Sequence, residues 1–272
     1  MHYAKITFTV ADQDTKDIMV AELADAGYSG FEEQDDLLIA YIDASKFTEA
    51  ELDVIAGLHG VQYEYEDVPQ QNWNAVWESN FQPVVVDGFC TIRAHFHEII
   101  VNTPYEIVIT PKMSFGTGHH ATTQLMMTMM RDMELEGKTV LDFGTGTGVL
   151  AILAEMLGAR SIVAIDNDEW SVENAEENLV RNGCKNITIS GGSLEDVASP
   201  NVDVILANIN RHILLHYMAD MYKKVADDGK ILMSGLLTED RSVINEAAAD
   251  AGFRLVAERE QNNWIALMFD KG

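Results

Sequence analysis

The run Asp142-Phe143-Gly144-Thr145-Gly146-Thr147-Gly148 joins a strand-like apolar stretch to the helical segment Val149–Leu157. Glycines let a backbone turn tightly and let a ligand approach where a Cβ would clash. In an open parallel sheet, ligands sit beyond the carboxyl ends of the strands. The spacing separates the ligand classes. A dinucleotide fingerprint would place its third glycine where this chain has Val149, and no Lys-Ser or Lys-Thr pair follows to make a P-loop. Asp166, 18 residues after Gly148, ends the next strand-like stretch. A carboxylate there can accept hydrogen bonds from two ribose hydroxyls, as dinucleotide and adenosylmethionine sites both require. The plainer reading is a solvated turn, Asp166-Asn167-Asp168-Glu169, capping the helix that follows. His119-His120 offers imidazoles, but adjacent side chains seldom converge and no Cys or carboxylate is suitably spaced, so no metal site is expected. Met126-Met127 and Met129-Met130 read as soft core filling on one helix.

These residues need a scaffold. From about Lys138 strands and helices alternate, with strands at Thr139–Phe143, Ser161–Ile165, Ile187–Ser190, Val202–Ala207, Lys230–Ser234, Phe253–Glu258 and Trp264–Phe269. Helical stretches separate all but the last pair. There Gln261-Asn262-Asn263 is too short for a crossover and implies an antiparallel hairpin. Near-continuous apolar runs such as Val204-Ile205-Leu206-Ala207 suit strands buried on both faces. The expected fold is α/β: a doubly wound, Rossmann-like, seven-stranded sheet with one antiparallel strand near its edge. Short strands at Val84–Val86, Cys90–Ala94 and Glu106–Thr110 precede it.

The first 67 residues have a different order. A strand at Tyr3–Val10, a helix at Thr15–Ala26, a hairpin of Gly30–Glu33 with Leu37–Asp43, a helix opened by Thr48-Glu49-Ala50-Glu51 and a strand at Val61–Glu66 make β-α-β-β-α-β. That is the order of the ferredoxin-like split motif, and the acid three residues after Thr48 suggests a capping box. Three parts are expected: a small α+β domain at 1–67, a linker helix at 68–82 with Trp73 and Trp77 on one face, and the larger domain at 83–272.

The chain has 272 residues, 44 acidic against 18 basic, for a formal charge of −26. This argues against a broad nucleic-acid surface, which needs clustered Lys and Arg. A negative field instead draws in a cationic partner. No apolar run approaches a membrane span and the amino terminus lacks a signal-peptide pattern. Cys90 and Cys184 are too few for a disulfide framework. A cytoplasmic protein without a membrane partner is the simplest expectation.

Glycine turn and acid together resemble the class I S-adenosylmethionine-dependent methyltransferases. The resemblance narrows at Ser114-Phe115-Gly116-Thr117-Gly118-His119-His120-Ala121-Thr122-Thr123, which is similar to the F-G-T-G-T-H-P-T-T segment of the ribosomal protein L11 methyltransferases. It continues through Val140-Leu141-Asp142-Phe143-Gly144, Leu150-Ala151-Ile152, Leu157-Gly158-Ala159, Asn174-Ala175 and Arg181-Asn182-Gly183. Asp203-Val204-Ile205-Leu206-Ala207-Asn208-Ile209 resembles the family's D-V-V-V-A-N-I, and Leu232-Met233-Ser234-Gly235-Leu236-Leu237 its L-S-G-I-L. Upstream, Trp73, Trp77 and Asn80-Phe81-Gln82-Pro83 fit its linker. His119 departs from the family's Thr, Ala121 from its Pro, and Thr145 and Thr147 from its usual Cys and Ser.

The resemblance implies S-adenosyl-L-methionine as methyl donor, with contacts from Phe115, Gly116, Thr123, Gly144, Gly146, Asp166 and Asn208. It implies transfer to lysine side chains and the amino-terminal amine of ribosomal protein L11, a basic partner docked by the first domain onto a monomeric enzyme. Asn208 stands where other amino-methylating families place N/D-P-P-Y, so its amide oxygen or nearby carbonyls are the candidates for orienting an incoming amine. The plainer reading is that it caps the helix beginning near Arg211. A methyltransferase for another protein or a small molecule is one alternative. A non-catalytic S-adenosylmethionine-binding module is another, against which the intact Asn208 and 114–123 segment weigh.

Overall fold

The computed structural model describes residues 3–68, 81–98, 103–112, 114–197 and 201–272. The chain divides into two compact units, Met1–Asn80 and Phe81–Gly272. Of the linker helix expected at 68–82, residues 69–80, which include Trp73 and Trp77, lie outside the described residues, and Val68 ends the last strand of the first unit.

In the first unit β1 (Tyr3–Thr9) alternates, burying Ala4, Ile6 and Phe8. Helix α1 (Gln13–Asp25) starts two residues earlier than the apolar pattern suggests, because Asp12 caps it by accepting the Thr15 N–H at 2.9 Å. The chain continues as β2 (Phe31–Gln34), β3 (Leu37–Asp43), α2 (Glu49–His59) and β4 (Gln62–Val68). The strands lie in the order β2-β3-β1-β4, every neighbour antiparallel. Thr48 does begin α2, but not through a capping box. Its hydroxyl donates to Glu51 at 2.8 Å and caps no backbone N–H.

The second unit opens with a three-stranded sheet of β5 (Val84–Val86), β6 (Cys90–Ala94) and β7 (Tyr105–Ile109), where β6 and β7 run parallel. Helix α3 (Ala121–Arg131) follows, with Met126, Met127, Met129 and Met130 all buried in the core. Then come β8 (Thr139–Phe143), α4 (Val149–Met156), β9 (Ser161–Asp166), α5 (Glu169–Arg181), β10 (Ile187–Gly191), β11 (Val202–Asn208), α6 (Arg211–Lys224), β12 (Val225–Leu237), α7 (Arg241–Ala251), β13 (Phe253–Gln261) and β14 (Trp264–Lys271). These strands form one seven-stranded sheet in the order β10-β9-β8-β11-β12-β14-β13, with β14 antiparallel to both neighbours.

Successive side chains of a strand point to opposite faces, and β11 shows the consequence. Val204 and Leu206 join a core with α3 and α4, while Ile205 and Ala207 join another with α6 and α7. Helices therefore cover both faces, and the carboxyl ends of the central strands open on one edge.

Two expectations are corrected. No helix lies between β10 and β11 among the described residues. The connection holds a 3₁₀ turn, Leu194–Asp196, closed by the Asp196 carboxylate accepting the Ser193 N–H at 2.9 Å. Strand β13 runs past its apolar run because backbone pairing with β14 continues where side chains are exposed, and β12 extends at both ends, to the buried Val225 and Leu236.

Candidate active site

At the carboxyl ends of β8, β9 and β11 lies a cavity of about 560 Å³. Its floor is the glycine turn after β8. The N–H groups of Gly144 and Thr145 both donate to the Ile165 carbonyl, folding the turn over β9. Gly144 has φ 75°, and a Cβ there would sit 2.2 Å from Ile209 Cγ2. Gly146 has φ 55°, and its Cβ would sit 2.3 Å from the Phe115 carbonyl oxygen. Neither position admits a side chain, so the backbone itself borders the cavity.

Asp166 closes one side. Its Oδ2 accepts the Gly146 N–H at 2.9 Å and its Oδ1 accepts the Asp168 N–H at 3.1 Å. A carboxylate has about four acceptor sites, so further donors can still reach it. The cap of α5 is Asp168, which accepts the Ser171 N–H and hydroxyl. Asp166 is thereby left to the glycine turn and the cavity.

Asn208, at the tip of β11, also lines the cavity, and its buried Oδ1 has no hydrogen-bond partner among the described residues. It does not cap α6; Asn210 holds that position, with no side-chain capping bond. Asn210 lines the cavity too.

Of the seven residues singled out, Phe115, Gly144, Gly146, Asp166 and Asn208 line one cavity. Thr123 and Gly116 do not. Thr123 is buried in α3, its hydroxyl 3.5 Å from the Asn208 Nδ2, and the preceding Thr122 takes the place at the wall. Gly116 turns its carbonyl to the Thr147 hydroxyl at 2.8 Å.

The structure adds residues that sequence reasoning missed. His120 caps α3, its Nδ1 accepting the Thr122 N–H at 3.3 Å, and its ring stands edge-on to Trp264 and Phe115 with centroids 4.6 and 5.4 Å away. All three rings line the cavity, as do His212 and Tyr217. His120 lay inside the matched segment and was available as a signal. Trp264 follows a hairpin turn far along the chain and carried none. His119 is elsewhere, its Nε2 3.0 Å from the Gln82 carbonyl oxygen.

Behind the turn, Asp142 is fully buried. Burial pushes its carboxyl up to about 7, although the Thr145 hydroxyl donates to Oδ2 at 2.6 Å. Its Oδ1 has no hydrogen-bond partner within 3.5 Å among the described residues, and the Ala151 N–H only partly offsets the effect of burial. Among the described residues no cluster of His, Cys, Asp and Glu is placed to hold a metal ion, and no helix is long and apolar enough to cross a membrane.

The sequence model of the ribosomal protein L11 methyltransferase family matches residues 5–272. The chain belongs to that family. A ribosomal protein L11 methyltransferase of Porphyromonas gingivalis is 42% identical over 260 residues, covering 93% of this chain and 90% of the relative. One from Phocaeicola vulgatus is 39% identical over 282 residues, covering 99% of each. Among solved structures, a ribosomal protein L11 methylase of Lactobacillus delbrueckii subsp. bulgaricus superposes with a TM-score of 0.65 at 30% identity. It covers 70% of this chain and 99% of its own. Membership of the ribosomal protein L11 methyltransferase family accords with the mixed, Rossmann-like sheet of the large unit.

Proposed function

We propose that this protein transfers methyl groups from S-adenosylmethionine to amino groups of ribosomal protein L11, at lysine side chains and the amino-terminal amine. One observation carries the reading: the Asp166 carboxylate is bonded to the Gly146 N–H at 2.9 Å, and both line a single cavity. That supports a site for a ribose beside a glycine turn. The fit to the donor rests further on the turn, where a Cβ at Gly144 or Gly146 would clash, and on the Asn208 Oδ1, which has no partner among the described residues.

In this reading Asp166 holds the ribose hydroxyls, the Gly144–Gly146 backbone and Phe115 flank the donor, and Asn208 orients the incoming amine. When bound, S-adenosylmethionine supplies an activated methyl group on a positively charged sulfonium. The protein then has to align the nucleophile and exclude water. Protonation is the main obstacle. A lysine of pKa about 10.4 is free base in only about 0.04% of molecules at pH 7, a cost of about 4.6 kcal/mol, whereas an α-amine near 8 costs about 1 kcal/mol. Asp166 is the only carboxylate among the described residues lining the cavity. Desolvation with little negative charge nearby favours the neutral amine, so no dedicated base is required.

The first unit, read as a ferredoxin-like domain at 1–67, is assigned the docking of the protein substrate, and the enzyme acts as a monomer in the cytoplasm. The test is incubation with radiolabelled S-adenosylmethionine and a ribosomal-protein mixture. One labelled band at ribosomal protein L11 is expected. Label on another protein, or binding of the donor without transfer, would overturn the assignment.

A further inference from the structure

The motif residues Asn174, Arg181 and Asn182 have no part in the cavity, yet α5 presents them as a polar stripe to the outer edge of β7. Among the described residues strand β7 pairs with β6 along one side and with no strand along the other. Its other edge would leave backbone groups unpaired, and side chains of α5 satisfy them. Asn182 accepts the Val108 N–H at 2.9 Å and donates to the Val108 carbonyl at 2.7 Å. Asn178 accepts the Thr110 N–H at 2.8 Å, and Asn174 donates to the Thr110 carbonyl at 3.0 Å. Four helical residues rise about 6 Å and two strand residues about 6.6 Å. Asparagines spaced by four therefore match strand positions spaced by two, and the helix takes the place of a missing strand. The Glu177 carboxylate reinforces the contact by accepting from the Thr110 hydroxyl at 2.7 Å and pairing with Lys112 at 2.9 Å. Lys112, then Arg181 and Thr110, hold that carboxyl down to about 2.

Asn178 differs from Asn174 and Asn182 in reaching the glycine turn. Its Nδ2 donates to the Thr147 carbonyl at 2.9 Å, inside the glycine turn. Thr147 in turn donates its N–H to the Phe115 carbonyl at 2.9 Å and its hydroxyl to the Gly116 carbonyl at 2.8 Å. Both Asn178 and Thr147 are fully buried. One amide thus ties together the end of β7, the glycine turn and, through Thr147, the segment that carries Phe115 to the cavity wall.

We propose that Asn178 is a positioning residue for the cavity: it locks the Phe115 segment to the glycine turn, so donor affinity depends on a side chain that does not line the site. The affinity part rests on the reading of the cavity as an S-adenosylmethionine site. The test compares Asn178→Asp, which keeps the acceptor for Thr110 but loses the donor to Thr147, with Asn182→Asp, whose side chain bonds β7 and the Asn178 carbonyl of its own helix but not the glycine turn. Hydrogen exchange without ligand reads the lock directly, and calorimetry with S-adenosylmethionine reads the affinity. For Asn178→Asp, exchange at Thr147 and the 114–118 segment should rise at least tenfold with β11 and β12 unchanged, and Kd should rise at least tenfold. Asn182→Asp should leave Kd within twofold of the parent. Equal effects from both variants, or a lowered Tm with exchange and Kd unchanged, would reduce Asn178 to a structural role and overturn the proposal. Should Asn178→Asp fail to fold, Thr147→Val is expected to weaken binding tenfold and Thr147→Ser to restore most of it; parallel behaviour of that pair overturns the proposal. A parent that binds no donor would sink the functional reading, while the exchange data would still decide the lock.

Discussion

Replacing Asp142 by Asn should change how stability responds to pH, and the sign follows from burial. The Asp142 carboxyl is fully enclosed and pushed up to about 7, mainly by desolvation of the charged form, with the Asp166 charge adding to it. In the unfolded chain it titrates near the ordinary value of about 3.9. Between those values the folded protein keeps a proton that the unfolded chain has lost. Folding stability therefore falls as pH rises from about 4 to about 7, and the loss is complete above the folded value. A difference of about 3 pKa units corresponds to about 4 kcal/mol.

Asn is close in shape, does not titrate, and keeps an acceptor for the Thr145 hydroxyl. The stability of the parent minus that of Asp142→Asn should therefore drop by about 4 kcal/mol between pH 4 and pH 8, while contributions from other groups cancel in the difference. Urea unfolding at a series of pH values measures it. The fluorescence of Trp264 in the large unit serves as probe, with Trp73, Trp77 and Trp170 changed to Phe in both proteins. A difference constant across that range, within extrapolation error, would show that Asp142 is not held protonated and would refute the reasoning.

Other outcomes follow from the same geometry. Asp166→Asn keeps the volume but removes the charge that accepts from Gly146, and calorimetry should show S-adenosylmethionine binding weakened at least tenfold, about 1.4 kcal/mol. Asn208→Ala should lower the rate of methyl transfer in a radiolabel assay at saturating donor; transfer and donor affinity both within twofold of the parent would remove Asn208 from the mechanism. Deleting residues 1–67 should spare donor binding in calorimetry and abolish methylation of the protein substrate, and normal turnover by the truncated chain would dissolve that division of labour.

The strands of the central sheet were readable where both faces are buried, because stretches such as Val204–Ala207 then become continuous apolar runs. Edge strands obey no such rule. Strand β13 exposes nearly every side chain, so only backbone pairing with β14 carries it to Gln261. Gly144, Gly146 and Asp166 were legible as candidates because their chemistry is local to a turn and a strand end, and all three line the cavity. Successive residues of α3 face different directions, so Thr122 reaches the cavity wall while Thr123 lies behind Asn208. The role of the asparagines of α5 was not legible in the sequence, since their partners in and just after β7 lie more than sixty residues away.

Charge is distributed for two opposing tasks. Lys5, Lys16 and Lys46 are the only Lys or Arg residues within positions 1–80. Lys5 is paired with Glu66, and Lys16 donates to the Asp35 carbonyl. A surface so poor in free cations attracts a basic protein, but the same negative potential at the reacting nitrogen would hold it protonated. The cavity avoids this with Asp166 as its only carboxylate among the described lining residues, and exposed acids farther than a Debye length of about 8 Å at physiological ionic strength are largely screened from it. Salt should then separate the two tasks. Raising ionic strength from about 0.05 to 0.5 M should lower kcat/KM for the protein substrate about tenfold or more by weakening steering, while donor affinity measured by calorimetry stays within about twofold. A kcat/KM that moves no more than donor affinity would mean that the acidic surface has no part in capturing the substrate.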